Sequence, residues 1–151
     1  MSIVQTNINY SYSVLSSNLV SLIRKFPFLN LQTVGNSVMG KNIYVIKLGN
    51  GSNKVFYSAS IHANEWITSV ILMKFIEDFC EAYNNNSNLY NFSIRDLFNS
   101  ASIYIMPMVN PDGVDLVTGS LNPNSPMYSK LKNIANDFPD IPFPNRMEIK
   151  Y

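Results

Sequence analysis

Residues 54–65 read Lys-Val-Phe-Tyr-Ser-Ala-Ser-Ile-His-Ala-Asn-Glu. A β-rich apolar run containing Val55, Phe56, Tyr57, Ala59 and Ile61 leads straight into His62, the one histidine of the chain, and Glu65 follows three residues later. After it, Ile67, Val70, Ile71, Phe75, Phe79 and Ala82 recur at helical spacing. A long core helix is therefore expected over residues 65–83, with Asn64 as its N-cap and the asparagines at 84–86 closing it. A strand, a tight loop and a helix in this order bring His62 and Glu65 together within one turn of chain. They would sit at the carboxyl end of a strand, where ligands of open α/β sheets gather. Imidazole nitrogen and carboxylate oxygen are both zinc donors, and a helix N-terminus favours the ionised carboxylate. His62 and Glu65 are candidate metal ligands on these grounds; the competing reading is a hydrogen-bonded loop histidine beside a helix-start glutamate. A catalytic zinc takes three protein ligands and keeps a fourth position open, and the spacing supplies two.

The chain has 151 residues, one domain's worth. With 46% hydrophobic and 14% charged residues it is globular in composition rather than disordered. A net charge of +1 gives no field that would gather nucleic acid or an acidic membrane. Arg24 with Lys25, and Lys130 with Lys132, read as solvated helix faces. The single cysteine, Cys80, excludes an internal disulfide framework. It would lie about 22 Å beyond Glu65 along the expected helix, out of reach of the site, and is expected to be buried. The amino terminus lacks a basic start followed by an apolar core, so no secretory signal is expected. The apolar run at 67–76 is broken by Lys74 and too short to span a bilayer. A soluble protein is expected, its compartment left open. Frequent asparagine beside isoleucine and lysine hints at a low-GC genome.

Elsewhere, Leu15, Leu19, Leu22, Ile23 and Phe26 predict an amphipathic helix over residues 13–26, ended by Pro27. Residues 31–38 and 43–48 read as a β-hairpin. The turn Gly49, Asn50, Gly51 leads to a third strand over 54–60, whose near-continuous apolar character suggests cover on both faces. Trp66 reads as a packing aromatic. A short helix is expected at 94–98 and a buried strand at 101–109. Asn110-Pro111-Asp112-Gly113 then reads as a sharp turn, since it lacks the alternating oxygens and terminal glutamate of a calcium loop. A helix is expected at 127–138, followed by an irregular, proline-rich segment over 139–145. No internal repeat is apparent.

The strand leading into His62-Ala63-Asn64-Glu65, Ile67 and Thr68 after it, and a buried strand ending in Asn110-Pro111-Asp112-Gly113 together resemble the zinc carboxypeptidase family, the carboxypeptidase A/B-like metallopeptidases. The closest flavour is the bacterial branch that includes γ-D-glutamyl-diamino-acid peptidases of cell-wall peptides. The resemblance runs from about residue 12 to 145 and covers only the amino-terminal half of the family's catalytic domain. It implies an α/β fold, the N-terminal half of a mixed, helix-flanked sheet. It further implies one zinc ion with His62 and Glu65 as its first two ligands, and a peptide substrate. In the family a downstream histidine is the third ligand, zinc activates water for attack on the scissile carbonyl, a late glutamate is the general base and an arginine clamps the substrate carboxylate.

None of those later residues is found here. Arg146, after Asn145, follows Pro142-Phe143-Pro144 rather than the strand end that precedes the family's clamping arginine. The expected layout is a single, truncated peptidase domain over residues 1–151, with a flexible lead-in at 1–11 and an aberrant tail at 146–151. If the tail were encoded by AGA ATG GAA ATC AAA TAT, the same letters read one base later would give Glu-Trp-Lys-Ser-Asn-Ile, which resembles what relatives carry next; on that supposition a frameshift is expected. Three readings compete: a zinc peptidase hydrolysing carboxy-terminal or cell-wall peptide bonds, a non-catalytic remnant that binds peptide or a partner, and a module that self-associates through an exposed sheet edge.

Overall fold

Ser11 opens the first helix by accepting the Val14 N–H on its hydroxyl, and Arg24 and Lys25 complement the dipole at the other end. In the computed structural model, which describes residues 2–137, this helix is α1 (Tyr12–Lys25). It buries Leu15, Leu19 and Leu22, as the three-and-four spacing predicts. There follow β1 (Asn30–Asn36), β2 (Asn42–Leu48), β3 (Asn53–Ser58), a 3₁₀ turn (Ala63–Glu65) and α2 (Trp66–Asn84). A small hairpin of β4 (Asn88–Leu89) and β5 (Phe92–Ser93) precedes α3 (Ile94–Ser100), β6 (Ala101–Met106), α4 (Pro111–Val117) and α5 (Pro126–Ala135).

The main sheet has the order β1-β2-β6-β3. β1 pairs antiparallel with β2 and β2 with β6, whereas β3 runs parallel to β6, so the sheet is mixed and the fold α/β. Val70, Met73, Ile76 and Phe79 of α2 join Ile46, Leu48, Ile103 and Ile105 of the sheet in one core with the α1 leucines. Trp66 packs partly buried against that core and Cys80 is inside it. Burial pushes the Cys80 thiol up to about 12. A thiol so far from ionisation is a packing group. No helix among the described residues is long and apolar enough to cross a membrane.

Three local expectations are corrected. β3 is not covered on both faces: all six of its residues are exposed, Phe56 to 56% and Tyr57 to 47%, because it is the last strand in the sheet order. Asn64 does not cap α2; it lies inside the 3₁₀ turn, and neither His62 nor Glu65 makes a side-chain capping bond. The Asn-Pro-Asp-Gly stretch is a helix start and not a turn. The Asn110 side chain accepts the Gly113 N–H, and Pro111 takes the first helical position, where its missing N–H is not needed.

Residues expected to form a flexible lead-in are tied to the core. Val4 and Tyr10 are buried. Ser2 Oγ, at 2.6 Å, and the backbone N–H groups of Ile3, at 2.6 Å, and Val4, at 3.3 Å, donate to the Glu77 carboxylate. The expected irregular segment at 139–145, Arg146 and the tail at 146–151 lie outside the described residues.

Candidate metal centre

Because β3 and β6 run parallel, their carboxyl ends emerge side by side. The two exits are zipped together: the Ala59 N–H donates to Met106 C=O, the Val109 N–H to Ala59 C=O and the Asn110 N–H to Ser60 C=O. The loop carrying His62 and the helix opening at Asn110 are therefore neighbours. At Gly113 the two backbones meet so closely that an added Cβ would lie 2.9 Å from the Ala63 Cβ. Only a residue without a side chain permits that approach.

His62 Nδ1 and Glu65 Oε1 are hydrogen-bonded to each other, 3.1 Å apart, the contact that a loop histidine beside a helix-start glutamate would also make. Both side chains remain open, 41% and 49% exposed. The spacing i, i+3 across a 3₁₀ turn does this, since side chains three apart eclipse in that geometry. A single cation bonding both atoms at about 2.1 Å can span that separation, so the donor types and their distance fit zinc. Among the described residues no group of three or more His, Cys, Asp or Glu side chains converges on one point.

The loop is held from two sides. Ser60 takes φ +50°, a left-handed conformation uncommon for serine, and is buried. Its N–H donates to Thr68 Oγ1, at 2.9 Å, and Thr68 Oγ1 donates to the Glu65 C=O, at 2.7 Å. On the other side α4 is fixed to the β1–β2 hairpin. Asp112 accepts Ser37 Oγ and the Met39 N–H, Asp115 accepts the Tyr12 N–H, and Lys41 bridges both carboxylates. An apolar cavity of about 220 Å³ lies between this hairpin, α4 and α5, lined by Met39, Ala63, Leu116, Met127 and Leu131 among others.

Reading the residues one by one missed Ser60, Lys41, Asp112 and Asp115 as supports. Buried hydroxyls and a lysine-carboxylate bridge across distant segments have no periodic signal. The Asn-Pro pair did carry one, an N-cap followed by proline at the first helical position, and would have turned the expected turn into a helix.

Residues 16–139 match the family profile described as zinc carboxypeptidase. The chain is 41% identical over 123 residues to gamma-D-glutamyl-L-diamino acid endopeptidase 1 of Lysinibacillus sphaericus, a match covering 82% of this chain and 31% of that protein. It is 30% identical over 122 residues to the human carboxypeptidase N catalytic chain, covering 72% of this chain and 26% of the relative. Among solved structures, bovine thrombin-activatable fibrinolysis inhibitor, crystallised with tick carboxypeptidase inhibitor, superposes with a TM-score of 0.62 at 25% identity, over 74% of this chain and 34% of that one. Carboxypeptidase A from Helicoverpa armigera shares the fold with a TM-score of 0.63 at 23% identity, over 76% and 28%. The chain thus spans about a third or less of the length of these relatives.

Proposed function

Since the chain belongs to the zinc carboxypeptidase family, we propose that His62 and Glu65 are two ligands of a peptidase zinc centre, left incomplete within residues 2–137. The observation that carries this is the 3.1 Å approach of His62 Nδ1 to Glu65 Oε1 on an exposed loop at a strand end. Zinc, when bound, supplies Lewis-acid polarisation of a carbonyl and acidifies water. His62 offers the imidazole nitrogen, Glu65 the carboxylate, and the packed α4 holds their loop against the sheet. Two donors hold the metal weakly, and a third ligand has to come from polypeptide outside the described residues.

The ancestral substrate is a peptide bond, and the 41% identity to the Lysinibacillus sphaericus endopeptidase favours a γ-D-glutamyl-diamino-acid linkage over a plain carboxy-terminal one. Residues 2–137 by themselves are read as non-catalytic, because no group of three or more metal-ligating side chains converges among them. The test is zinc retention of the purified chain in equilibrium dialysis, with turnover of a carboxy-terminal peptide and of a γ-D-glutamyl-diamino-acid peptide. Weak, chelator-sensitive zinc lost in His62→Ala, without turnover, is the expected result. Retention unchanged in His62→Ala overturns the site, and turnover overturns the non-catalytic reading.

A second reading has its own support. Among the described residues β3 is unpaired on its outer side and carries Val55, Phe56 and Tyr57 exposed, a template for strand pairing with a second copy or another chain.

A further inference from the structure

We infer that Thr68, Ser60 and Ser69 form a positioning set for the zinc ligands, pinning the Glu65 carbonyl so that the Glu65 carboxylate is aimed at His62 before any metal arrives. The inference rests on the reading of His62 and Glu65 as ligands.

The chain leaves the sheet after Ala59, and at Ser60 it takes φ +50° in a buried position. A buried backbone N–H there needs an acceptor. Thr68 Oγ1, reaching back from the first turn of α2, provides it at 2.9 Å. The single hydrogen of that hydroxyl then goes to the Glu65 C=O at 2.7 Å. Ser60 Oγ donates to the same carbonyl at 3.3 Å. Ser69 Oγ lies 2.6 Å from Ser60 Oγ, and since the Ser60 hydrogen is used on Glu65, Ser69 is the donor of that pair. Two of the three hydroxyls, those of Thr68 and Ser60, thus end on the carbonyl of one proposed ligand, and Ser69 backs Ser60 from behind.

The geometric consequence concerns the residues between. Ser60 C=O is fixed by the Asn110 N–H, and Glu65 C=O by two hydroxyls, so the loop is pinned at both ends with His62 inside it. An incoming cation meets a nitrogen and an oxygen already 3.1 Å apart rather than a loop it must order. Outer partners of metal ligands act in this way, and their loss weakens metal binding by about 10- to 100-fold.

His62 is the one histidine of the chain, so its imidazole ¹⁵N resonances report on this site without ambiguity. The experiment is a zinc titration of the full chain followed by those resonances, beside a urea unfolding curve for each variant. Thr68→Val keeps the shape and removes the hydroxyl; zinc affinity is expected to fall about tenfold. Thr68→Ser restores the hydroxyl and should restore the affinity. Ser60→Gly accepts the positive φ without strain while deleting Oγ, so its loss of stability should be no greater than that of the Ser102→Ala control while zinc weakens, a split that a purely structural role does not produce. Ser102→Ala is the control: its buried hydroxyl donates to Gly51 C=O at 2.7 Å, away from the site. It should cost stability without moving zinc.

Wild-type affinity in both Thr68→Val and Ser60→Gly, or an equal loss in Ser102→Ala, overturns the positioning set. If Thr68→Val does not fold, Ser60→Gly alone decides. Failure of the underlying ligand reading is seen separately, as zinc retention that survives His62→Ala.

Discussion

Glu77, on α2, is 1% exposed yet carries a charge, and its partners explain why. Burial pushes its carboxyl up, but the Ser2 hydroxyl, the Ile3 N–H, the Lys74 ammonium and the Val4 N–H outweigh that and hold it below the usual carboxylate range. A depressed folded-state value means that Glu77 adds stability above its unfolded value of about 4.3, and that this is lost as the pH falls through the folded value. Glu77→Gln should therefore flatten the acid limb of the stability curve. At neutral pH it should cost about 1–3 kcal/mol, measured by urea unfolding at several pH values, because the buried partners lose their acceptor. An unchanged acid limb would show that the amino-terminal segment is held otherwise. Gly113 sits at a second such point. An added Cβ would meet Asn110 Nδ2 at 2.6 Å as well as Ala63, so Gly113→Ala should cost about 1–3 kcal/mol of stability in the same urea measurement. At this scale the sequence exposed His62 and Glu65 through type and spacing. It hid Glu77, Lys41 and Asp115, whose partners lie roughly seventy or a hundred positions away and leave no local pattern.

The elements were more legible than their surroundings. The three-and-four spacing in α1 and α2 and the hairpin of β1 and β2 emerged within a residue or two of their expected ends, because periodicity depends on chain geometry alone. β3 was the exception. Its apolar run says that its surface favours cover; whether this chain supplies the cover depends on its place in the sheet, and it occupies the edge. Exposed Phe56 should therefore tolerate charge. Phe56→Lys is expected to change monomer stability by no more than about 0.5 kcal/mol while abolishing concentration-dependent association in sedimentation velocity. A monomer at every concentration before substitution would remove the edge-pairing reading.

For the whole molecule the coupling between metal and fold is the test. Zinc that binds the folded chain at His62 and Glu65 stabilises it by mass action. At ten times the dissociation constant this amounts to about 1.4 kcal/mol. For a chain of this size the melting temperature should rise by about 3–6 °C, and the rise should vanish in His62→Ala. A shift that persists in His62→Ala would place the metal elsewhere.

The sequence by itself determined α1, α2, the hairpin and the placing of His62 and Glu65 just after a strand, since each is written in spacings shorter than one element. The tertiary structure decided that β6 sits inside the sheet and β3 last in its order among the described residues, that α4 presses Gly113 against the loop of His62 and Glu65, and that Thr68 and Ser60 meet at the Glu65 carbonyl. Those outcomes depend on which strand ends come side by side. That is fixed by pairing between segments far apart in the chain, a choice no local pattern of residues encodes.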